Sequence, residues 1–439
     1  MKEGLKTLSR RFWPLLVLLP AAAFRLHAWS VSEPLVVDRS NTYLQPAREL
    51  TGLSYSGGET FRRTPGYPVM LAGALTAGFG DMRAVTLTQH ALGLGAVYAL
   101  MRAALLLWGS VPAAAAAGLL AAFHPGFIFY EGAVESELFA VFLLSLAMLW
   151  AARAANDGGR EGSRAAVAAG LLGAAAALTR PELAACLPAA PALLLLKGRG
   201  PRRALLCALA FAAPLALWAG RNAAMFGSFT LSPMGAATSL QTSGHLVDLG
   251  APSHPEFRRV YAEALAANGG DYSNVVNEAV RRLNSAPYDF PIERALAEAA
   301  AVGAETALRH PLAYAAATAR NFRGFFGSIG GDFSEPGPGG SRAPEPPAPL
   351  AAHYNNLLWL ALAGLAAAAW RRRAEAGFLL LLAVCVAAAN SLVEVPVGRR
   401  SFEIVPVLIP AAAALYAAAW ELARRGAGTL RAFYKRSRP

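Results

Sequence analysis

The sequence predicts an all-α integral membrane protein with about ten transmembrane helices, and three observations support this fold class. Of the 439 residues, 55% are hydrophobic and only 15% are charged, whereas soluble globular proteins carry about 25% charged residues. The mean hydropathy is +0.37. Several runs approach the roughly 18–20 apolar residues that a helix needs to cross a bilayer. A soluble protein with buried helices is therefore disfavoured.

Ten apolar segments are the candidate spans, and basic clusters orient them. The spans cover residues 12–29, 83–107, 112–130, 138–152, 165–178, 183–196, 204–220, 357–370, 377–395 and 402–422. With this count, the basic leader, residues 197–203, residues 371–373 and the basic tail all lie on one side. The positive-inside rule makes that side the cytoplasm. The net charge of +12 follows from this bias, so nucleic acid is not an expected partner.

The same topology divides the chain into three regions. Residues 1–222 form a transmembrane core that includes a first outer loop at 30–82. Residues 223–352 are more polar and form a helical outer region that ends in a Pro/Gly-rich linker. Residues 353–439 return to the membrane and finish in a basic cytoplasmic tail.

Several shorter helices are predicted outside the spans. Residues 67–79 are apolar but too few to cross a bilayer at about 1.5 Å per residue, so they predict a juxtamembrane helix in the first outer loop. The two arginines within residues 312–326 favour a helix at the membrane interface. The remaining outer-region helices are expected at residues 255–267, 272–284 and 291–309.

Polar side chains collect at the outer ends of the spans, on the face where a site would assemble. They are Asp38, Arg62, Arg63, Glu135, Glu137, Arg180, Arg221, Arg399 and Arg400. A planar guanidinium binds two phosphate oxygens at once. A carboxylate beside such a cluster suits general-base chemistry on a hydroxyl. The pattern therefore favours a site that binds the phosphate of an outer-leaflet lipid.

The first outer loop resembles that of a known family. Asp38 is followed by Tyr43 and, after a glycine-rich gap, by the Arg-Thr-Pro-Gly-Tyr-Pro segment at residues 63–68. This order is similar to the first outer loop of GT-C-fold membrane glycosyltransferases, in the branch related to protein O-mannosyltransferases and the lipid A aminoarabinose transferase. The likeness continues in outline through most of the chain, including Thr179-Arg180-Pro181 and the segment at residues 399–402.

The resemblance implies a reaction and a set of site residues. The donor would be a sugar on a polyprenyl phosphate, the acceptor a hydroxyl on a glycan, lipid or protein, and Asp38 the catalytic base in an inverting transfer. The substrate-binding residues would be Arg62, Arg63, Tyr67, Glu137, Arg180 and Arg400. It also implies an enzyme of the bacterial inner membrane, surrounded by membrane lipids, with its active site facing the periplasm.

Two departures from the family pattern change these expectations. Many members carry two adjacent acids in the first loop, but Arg39 follows Asp38 here. A metal role for this position therefore lacks support, no metal ligand is assigned, and a divalent metal stays an open alternative. Pro46 suits a first helical turn, so we expect the helix after Asp38 to begin near Gln45.

Other functions and simpler roles remain open at this stage. A transporter or flippase for lipid-linked sugars is the main alternative function, although such proteins usually place charges near mid-membrane. A non-enzymatic assembly partner is a third. Arg180 and Arg400 also suit snorkelling to headgroups, and Arg221 suits a topology anchor. His90 beside Gln89 is typical of polar packing between helices.

Overall fold

The computed structural model describes residues 13–37, 40–272, 275–327, 354, 356–370, 372–393 and 401–436, with side chains up to residue 424 in the last helix. Asp38 and Arg400, two of the predicted site residues, therefore lie outside the described residues, as does the linker that precedes residue 354. Within the described ranges the chain is helical, and its one β-bridge joins Leu35 to Ala133 in parallel.

The helices of the first half build the core and the first loop. In chain order they are α1 (Leu15–Val31), α2 (Asn41–Thr51), α3 (Glu59–Arg62), α4 (Gly66–Ala77), α5 (Met82–Trp108), α6 (Val111–Ala122), α7 (Pro125–Gly132), α8 (Glu137–Asn156), α9 (Gly159–Ala177), a 3₁₀ helix (Pro181–Cys186), α10 (Ala189–Leu196) and α11 (Pro201–Phe226).

The helices of the second half build the outer region and return to the membrane. They are α12 (Met234–Ser243), a 3₁₀ turn (Gly244–Leu246), α13 (Pro255–Ala267), α14 (Val275–Leu283), α15 (Ile292–Arg309), α16 (Pro311–Gly327), α17 (Leu357–Ala369), α18 (Arg373–Val393), a 3₁₀ turn (Phe402–Ile404) and α19 (Val405–Arg436).

Every predicted span contains a helix, but not every helix is long enough to cross a bilayer alone. Within the described chain, five helical segments pass on length and composition: α5, α8, α11, most of α18, and residues Phe402–Arg424. Helices α6 and α7 meet at a 46° bend and together form a sixth candidate. Because α1, α4, α17 and the segment Pro181–Leu196 are shorter apolar helices, the count of ten stays a prediction.

Local sequence explains where the bundle helices begin and end. The Asp81 carboxylate caps α5 by accepting from the Arg83 amide at 2.8 Å, and α5 ends at Gly109 with a left-handed φ of 64°. The His124 ring accepts from the Gly126 amide at 3.1 Å and so caps α7 directly after α6 ends. An N-cap side chain satisfies an amide that the first helical turn leaves unpaired.

The bundle packs through small residues. Helix α8 lies between α5 and α9, α9 also packs on α11, and α19 packs on both α17 and α6. At Gly364 a Cβ atom would come within 2.1 Å of the Ala411 carbonyl oxygen. Only glycine permits this approach of α17 to α19, which is typical of helix contacts in membranes.

One end of the bundle is basic. Lys197 lies 2.9 Å from the Glu375 carboxylate. Arg199 and Arg203 donate to carbonyls in the last turn of α8, at 2.7 Å to Ala155 and 2.8 Å to Ala154. These bonds neutralise the carbonyl end of a helix. The first outer loop and the start of α8 lie at the opposite end of the bundle.

The outer region has its own apolar core. Helix α12 packs against α15, and α13 packs against α14. Their buried side chains form a separate cluster that includes Leu240, Phe257, Val276 and Val302. Three of these helices match the sequence expectation closely, and α13 matches it to the residue. Helix α16 occupies the segment expected at the interface, with Leu312 86% exposed.

The first outer loop corrects one expectation. Helix α2 begins at Asn41, not near Gln45, and Pro46 lies inside it. A proline beyond the first turn removes a backbone hydrogen bond and strains the preceding turn. Tyr43, Leu44 and Ala47 are buried on the same helix, and this tertiary packing outweighs the local penalty. The juxtamembrane helix is present as α4, which has 12 residues.

Candidate active site

A cavity of about 1640 Å³ lies between the first outer loop and the outer region. Two walls enclose it. The core wall comprises Val37, Thr42, Tyr43, Arg62, Arg63, Thr64, Glu135, Ser136, Thr179, Arg180 and Glu182. The outer wall comprises Ser232, Met234, Thr238, Gln241, Asn268, Asn277, Glu278, Arg281, Arg282 and Asn284.

The segment at residues 63–68 is docked against the loop that follows α9. The Gly66 amide donates to the Leu178 carbonyl at 2.8 Å, and the Thr64 hydroxyl donates to the Thr179 carbonyl at 3.3 Å. A Cβ atom on Gly66 would lie 2.3 Å from the Thr179 hydroxyl oxygen. The glycine is therefore required for close backbone approach. This contact brings together two motifs that lie more than one hundred residues apart in the sequence.

Arg63 lies on the core wall in a defined orientation. Its Nε donates to the Thr42 hydroxyl at 2.9 Å. The guanidinium lies 4.4 Å from the centre of the Tyr43 ring, a geometry in which the ring attracts the cation. Both partners belong to α2, so the packing of α2 determines where this positive charge faces the cavity.

Arg62 lies beside it at the end of α3. Its Nη1 is 3.5 Å from the Glu59 carboxylate, and its backbone carbonyl accepts from the Ser232 hydroxyl at 2.7 Å. The Arg62 Nε is buried and has no hydrogen-bond partner among the described residues. A buried donor without a partner is unusual in native proteins, so this nitrogen is a candidate contact for a bound anion.

Arg221, from α11, holds the loop that carries these two arginines. Its Nη2 donates to the Thr60 hydroxyl at 2.6 Å and to the Tyr55 carbonyl at 3.0 Å. The guanidinium also lies 4.7 Å from the Trp218 ring centre. Arg221 is thus a clamp on the first loop, which is more specific than the anchor role considered from the sequence.

Arg180 is the most heavily bonded side chain of the core wall. It lies 2.8 Å from the carboxylates of both Glu137 and Glu182 and also pairs with Glu403. Its Nη1 donates to the Ser136 hydroxyl at 3.3 Å. Burial lowers the Arg180 pKa, but Glu403, Glu182 and Glu137 more than offset this and hold that pKa well above its usual value. The guanidinium therefore stays charged.

Two acids of this cluster have different positions. Glu137 is 1% exposed and does not line the cavity, so it holds Arg180 from behind. Glu403, in the 3₁₀ turn before α19, is fully buried. Sequence reasoning missed Glu403, although a carboxylate at the start of an apolar span is unfavourable in lipid and marks a bonded position.

The segment before Asp38 is fastened to the start of α8. The Leu35 amide donates to the Gly132 carbonyl and the Val134 amide donates to the Leu35 carbonyl, both at 2.9 Å. Val37 and Glu135 both line the cavity. The Val37 amide also donates to the Ser40 hydroxyl at 3.1 Å. The residues on both sides of Asp38 and Arg39 are therefore held at the core wall.

Tyr67 lies one layer behind the core wall. It is fully buried and meets Tyr43 edge-to-face with ring centres 5.2 Å apart. Its hydroxyl donates to the Gln89 Oε1 at 2.8 Å. Burial, and then the Glu137 charge, raise the Tyr67 pKa well above its usual value, so the hydroxyl remains a donor. The sequence suggested a substrate contact, but this geometry supports a role in positioning Tyr43.

Gln89 extends this support to the segment before α8. Its Nε2 donates to the carbonyls of Ala133 at 2.7 Å, Glu131 at 3.1 Å and Tyr130 at 3.3 Å. Ala133 is the residue that pairs with Leu35. One side chain of α5 therefore joins Tyr67 to the bridge that precedes Asp38.

A second buried ionic cluster lies behind the cavity, between α1, α5 and α7. The Glu131 Oε1 is 2.9 Å from both Nε and Nη2 of Arg25. The Glu131 Oε2 is 2.7 Å from the His90 Nδ1. The three side chains are 0–5% exposed. A Cβ atom on Gly93 would lie 1.8 Å from Glu131, so this glycine makes room for the carboxylate.

The part of the chain that the structure describes contains no cluster of side chains that could bind a metal ion. No three or more His, Cys, Asp or Glu side chains are placed there to share an ion. The acids around Arg180 already accept from its guanidinium.

No family model and no curated protein matches the chain. The chain is similar in structure to the archaeal oligosaccharyltransferase AglB from Archaeoglobus fulgidus, in complex with an inhibitory peptide and a dolichol-phosphate. That likeness has a TM-score of 0.54 and 15% identity over 98% of this chain and 53% of the other. The apo form of the Archaeoglobus fulgidus oligosaccharyltransferase gives a TM-score of 0.52 and 15% identity, over 92% of this chain and 50% of the other.

ArnT from Cupriavidus metallidurans, bound to undecaprenyl phosphate, gives a TM-score of 0.40 and 13% identity over 91% of this chain and 77% of that one. The chain spans about half the length of the archaeal oligosaccharyltransferases it matches. At these identities the comparison concerns fold alone. The expected all-helical, GT-C-like integral membrane fold is confirmed.

Proposed function

We propose that the protein is an inverting glycosyltransferase that moves a sugar from a polyprenyl-phosphate donor to an acceptor hydroxyl. The observation that carries this proposal is the composition of the core wall. Three arginines, Arg62, Arg63 and Arg180, line one cavity together with Glu135 and with Val37, the residue before Asp38. This transfer needs cations that bind the donor phosphate and a carboxylate that takes the proton of the acceptor hydroxyl.

The donor phosphate is assigned to Arg62 and Arg63. Arg63 presents its guanidinium from a fixed position over Tyr43, and the Arg62 Nε has no partner among the described residues. Fixed cations facing the developing charge stabilise a leaving phosphate without reorganisation. Arg180, which is bonded to three carboxylates, is assigned to holding the wall and its charge in place. Arg400 stays a proposed phosphate contact.

The transfer itself is a single displacement. Asp38 takes the proton of the acceptor hydroxyl as that oxygen bonds to the anomeric carbon. The bond from the anomeric carbon to the phosphate oxygen breaks at the same time, and polyprenyl phosphate leaves with both electrons. Attack opposite the phosphate inverts the anomeric configuration, as in the base half of an inverting glycosidase. The cationic wall takes the place of a general acid.

The orientation follows from charge. Lys197, Arg199 and Arg203 lie at the end of the bundle opposite the cavity. Basic clusters of this kind are typical of the cytoplasmic side. The cavity then opens on the extracytoplasmic face, which we assign to the bacterial plasma membrane, where a lipid-linked donor reaches it from the outer leaflet.

A transporter or flippase for lipid-linked sugars is the second candidate, and one observation favours it. Arg25, His90 and Glu131 form a buried ionic cluster among apolar helices, and charged residues within a membrane often mark a transport path. In this cluster both Glu131 oxygens are bonded. Flux of a fluorescent polyprenyl-phosphate sugar into vesicles, without any sugar transfer, would favour transport.

The test is Asp38→Asn in the purified full chain, assayed with a panel of polyprenyl-phosphate sugars and a mixture of acceptors. We expect sugar transfer to fall roughly 100-fold or more, the usual contribution of a general base, with the melting temperature unchanged. Asp81→Asn is the matched control, because asparagine also caps a helix and Asp81 is outside the cavity lining. Transfer by the Asp38→Asn variant at the wild-type rate would overturn the assignment.

A further inference from the structure

The outer wall contains two kinds of amide side chain. Asn268 and Asn284 donate to backbone carbonyls of Asp271 and Phe290 at 2.6 and 2.7 Å, so they hold the protein's own loops. Gln241 and Asn277 also line the cavity, but their amides have no hydrogen-bond partner among the described residues. Gln241 is only 8% exposed.

The two unpaired amides are open to the cavity and are therefore available to a ligand. A primary amide has two donors and an acceptor, so each side chain offers several hydrogen bonds to a polar occupant. Gln241 lies one helical turn beyond Thr238 on α12, and both residues line the cavity. Asn277 approaches from α14. The two amides therefore line the same space from different helices.

The cavity has room for a second substrate. Its volume of about 1640 Å³ exceeds the roughly 300–1,000 Å³ of an ordinary small-molecule site. The proposed donor phosphate takes the core wall, at Arg62 and Arg63. The outer wall is then the surface that an acceptor meets.

The charges of the outer wall exclude an apolar acceptor. Glu278 accepts from Arg281 at 2.7 and 2.8 Å and from Arg282 at 2.7 Å. These hydrogen bonds lower the Glu278 pKa to about 2, so this carboxylate is ionised at neutral pH. Burying ionised groups under a lipid chain is unfavourable, whereas a hydrated, polar acceptor leaves them solvated.

A peptide acceptor also fits this wall less well than a sugar. Extended peptides usually bind by adding to a strand edge, and helical peptides bind in an apolar groove. The described part of the outer wall is built from helices without a strand, and its facing groups are amides, guanidiniums and a carboxylate. Sugar hydroxyls both donate and accept, as amides do.

We infer that the outer wall is the acceptor subsite and that its occupant is a hydroxyl-rich glycan, recognised by Gln241 and Asn277. The inference rests on the proposed function, since it takes the core wall as the donor side. It names the acceptor class that the first-loop motif leaves open.

The test measures binding of two probes to the purified full chain in nanodiscs. One probe is undecaprenyl phosphate. The other is a neutral trisaccharide, used as a panel of maltotriose, cellotriose and chitotriose, with the tripeptide Gly-Ser-Gly as the competing class. We expect saturable binding of at least one trisaccharide and none of the tripeptide.

Gln241→Leu and Asn277→Leu are each expected to raise the trisaccharide Kd roughly fivefold or more and to leave the undecaprenyl-phosphate Kd within about twofold. Gln45→Leu is the matched control, because Gln45 is exposed and outside the cavity lining. Absence of trisaccharide binding, equal binding of the tripeptide, or unchanged affinity in both variants overturns the inference. Failure of undecaprenyl phosphate to bind contradicts the proposed function instead, and the trisaccharide result still decides whether the wall binds glycans.

Discussion

The two walls of the cavity differ in how their polar groups are held. On the core wall, Arg63 is fixed by Thr42 and Tyr43, and Arg180 is fixed by three carboxylates. On the outer wall, Gln241 and Asn277 reach no partner within the described chain. Groups held in place before the ligand arrives suit the stabilisation of developing charge. Side chains without a partner in the protein are free to bind a substrate and to release it. The two walls therefore suit two different substrates.

The support behind the walls differs as well. The core wall is backed by bonds from Gln89 of α5 and Arg221 of α11, whereas the outer wall belongs to a region with its own apolar core. Damage behind the core wall should therefore change donor binding and leave glycan binding intact. Three substitutions test how strongly these bonds support the core wall, in order of decreasing effect.

Glu131→Leu should have the largest effect. It leaves the buried Arg25 guanidinium without its carboxylate, and breaking a buried pair from one side costs about 3–5 kcal/mol. We expect a large drop in the melting temperature of the solubilised chain and weaker binding of undecaprenyl phosphate. Differential scanning fluorimetry and a lipid-binding assay measure the two effects.

Glu33→Leu is the control for that variant. Glu33 pairs with Arg83 at 3.3 Å but is 84% exposed, and exposed pairs contribute only about 0–1 kcal/mol. The double variant Arg25→Leu/Glu131→Leu should recover part of the lost stability, because it leaves no buried charge without a partner. Equal melting temperatures for Glu131→Leu and Glu33→Leu would show that the buried cluster does not support the core wall.

Arg221→Lys should have an intermediate effect. Lysine lacks the planar fork that bonds Thr60 and Tyr55 together, and hydrogen bonds from charged groups contribute about 1.5–3 kcal/mol. We expect faster amide hydrogen exchange over residues 55–62 and a lower kcat for transfer. Arg153→Lys is the control, because the Arg153 guanidinium also lies over an aromatic ring, 4.9 Å from the centre of Trp150. Unchanged hydrogen exchange in the Arg221→Lys variant would contradict the proposal that Arg221 clamps the first loop.

Tyr67→Phe should have the smallest effect. It deletes one hydrogen bond to Gln89 and keeps the ring contact with Tyr43, so the loss is about 1 kcal/mol. The melting temperature should fall by a few degrees while undecaprenyl-phosphate binding stays near the wild-type value. Tyr98→Phe, on a ring that is 45% exposed, is the control. A large loss of undecaprenyl-phosphate binding at normal stability would show that Tyr67 contacts the substrate.

Much of the core wall could be predicted from the sequence because its residues occur in compact motifs. The segment at residues 63–68 and Thr179-Arg180-Pro181 were both identified, and the structure shows them bonded to each other. The apolar segments all contain helices. The helix boundaries were harder to predict, because proline disfavours the interior of a helix while tertiary packing can still hold it there. Pro46 lies inside α2 because neighbouring side chains are buried.

The outer wall could not be predicted in the same way. Helix α12 was missed because its small and polar residues lack a clear apolar period, although it carries Gln241. Glu403 was missed because only the fold brings it to Arg180. The depth of Tyr67 was also beyond the sequence, since an interfacial tyrosine and a buried one have the same local pattern. Contacts between distant segments determined the last two.

Donor and acceptor are proposed to occupy different walls, and the undecaprenyl-phosphate Kd of a matched set of variants tests this division. Arg63→Gln removes the charge of the core wall, Gln241→Leu removes an amide of the outer wall, and Arg83→Gln removes a stacked arginine outside the cavity lining. We predict that only Arg63→Gln raises this Kd, by about tenfold or more. Equal weakening by Gln241→Leu, or none by Arg63→Gln, would contradict the division of the cavity.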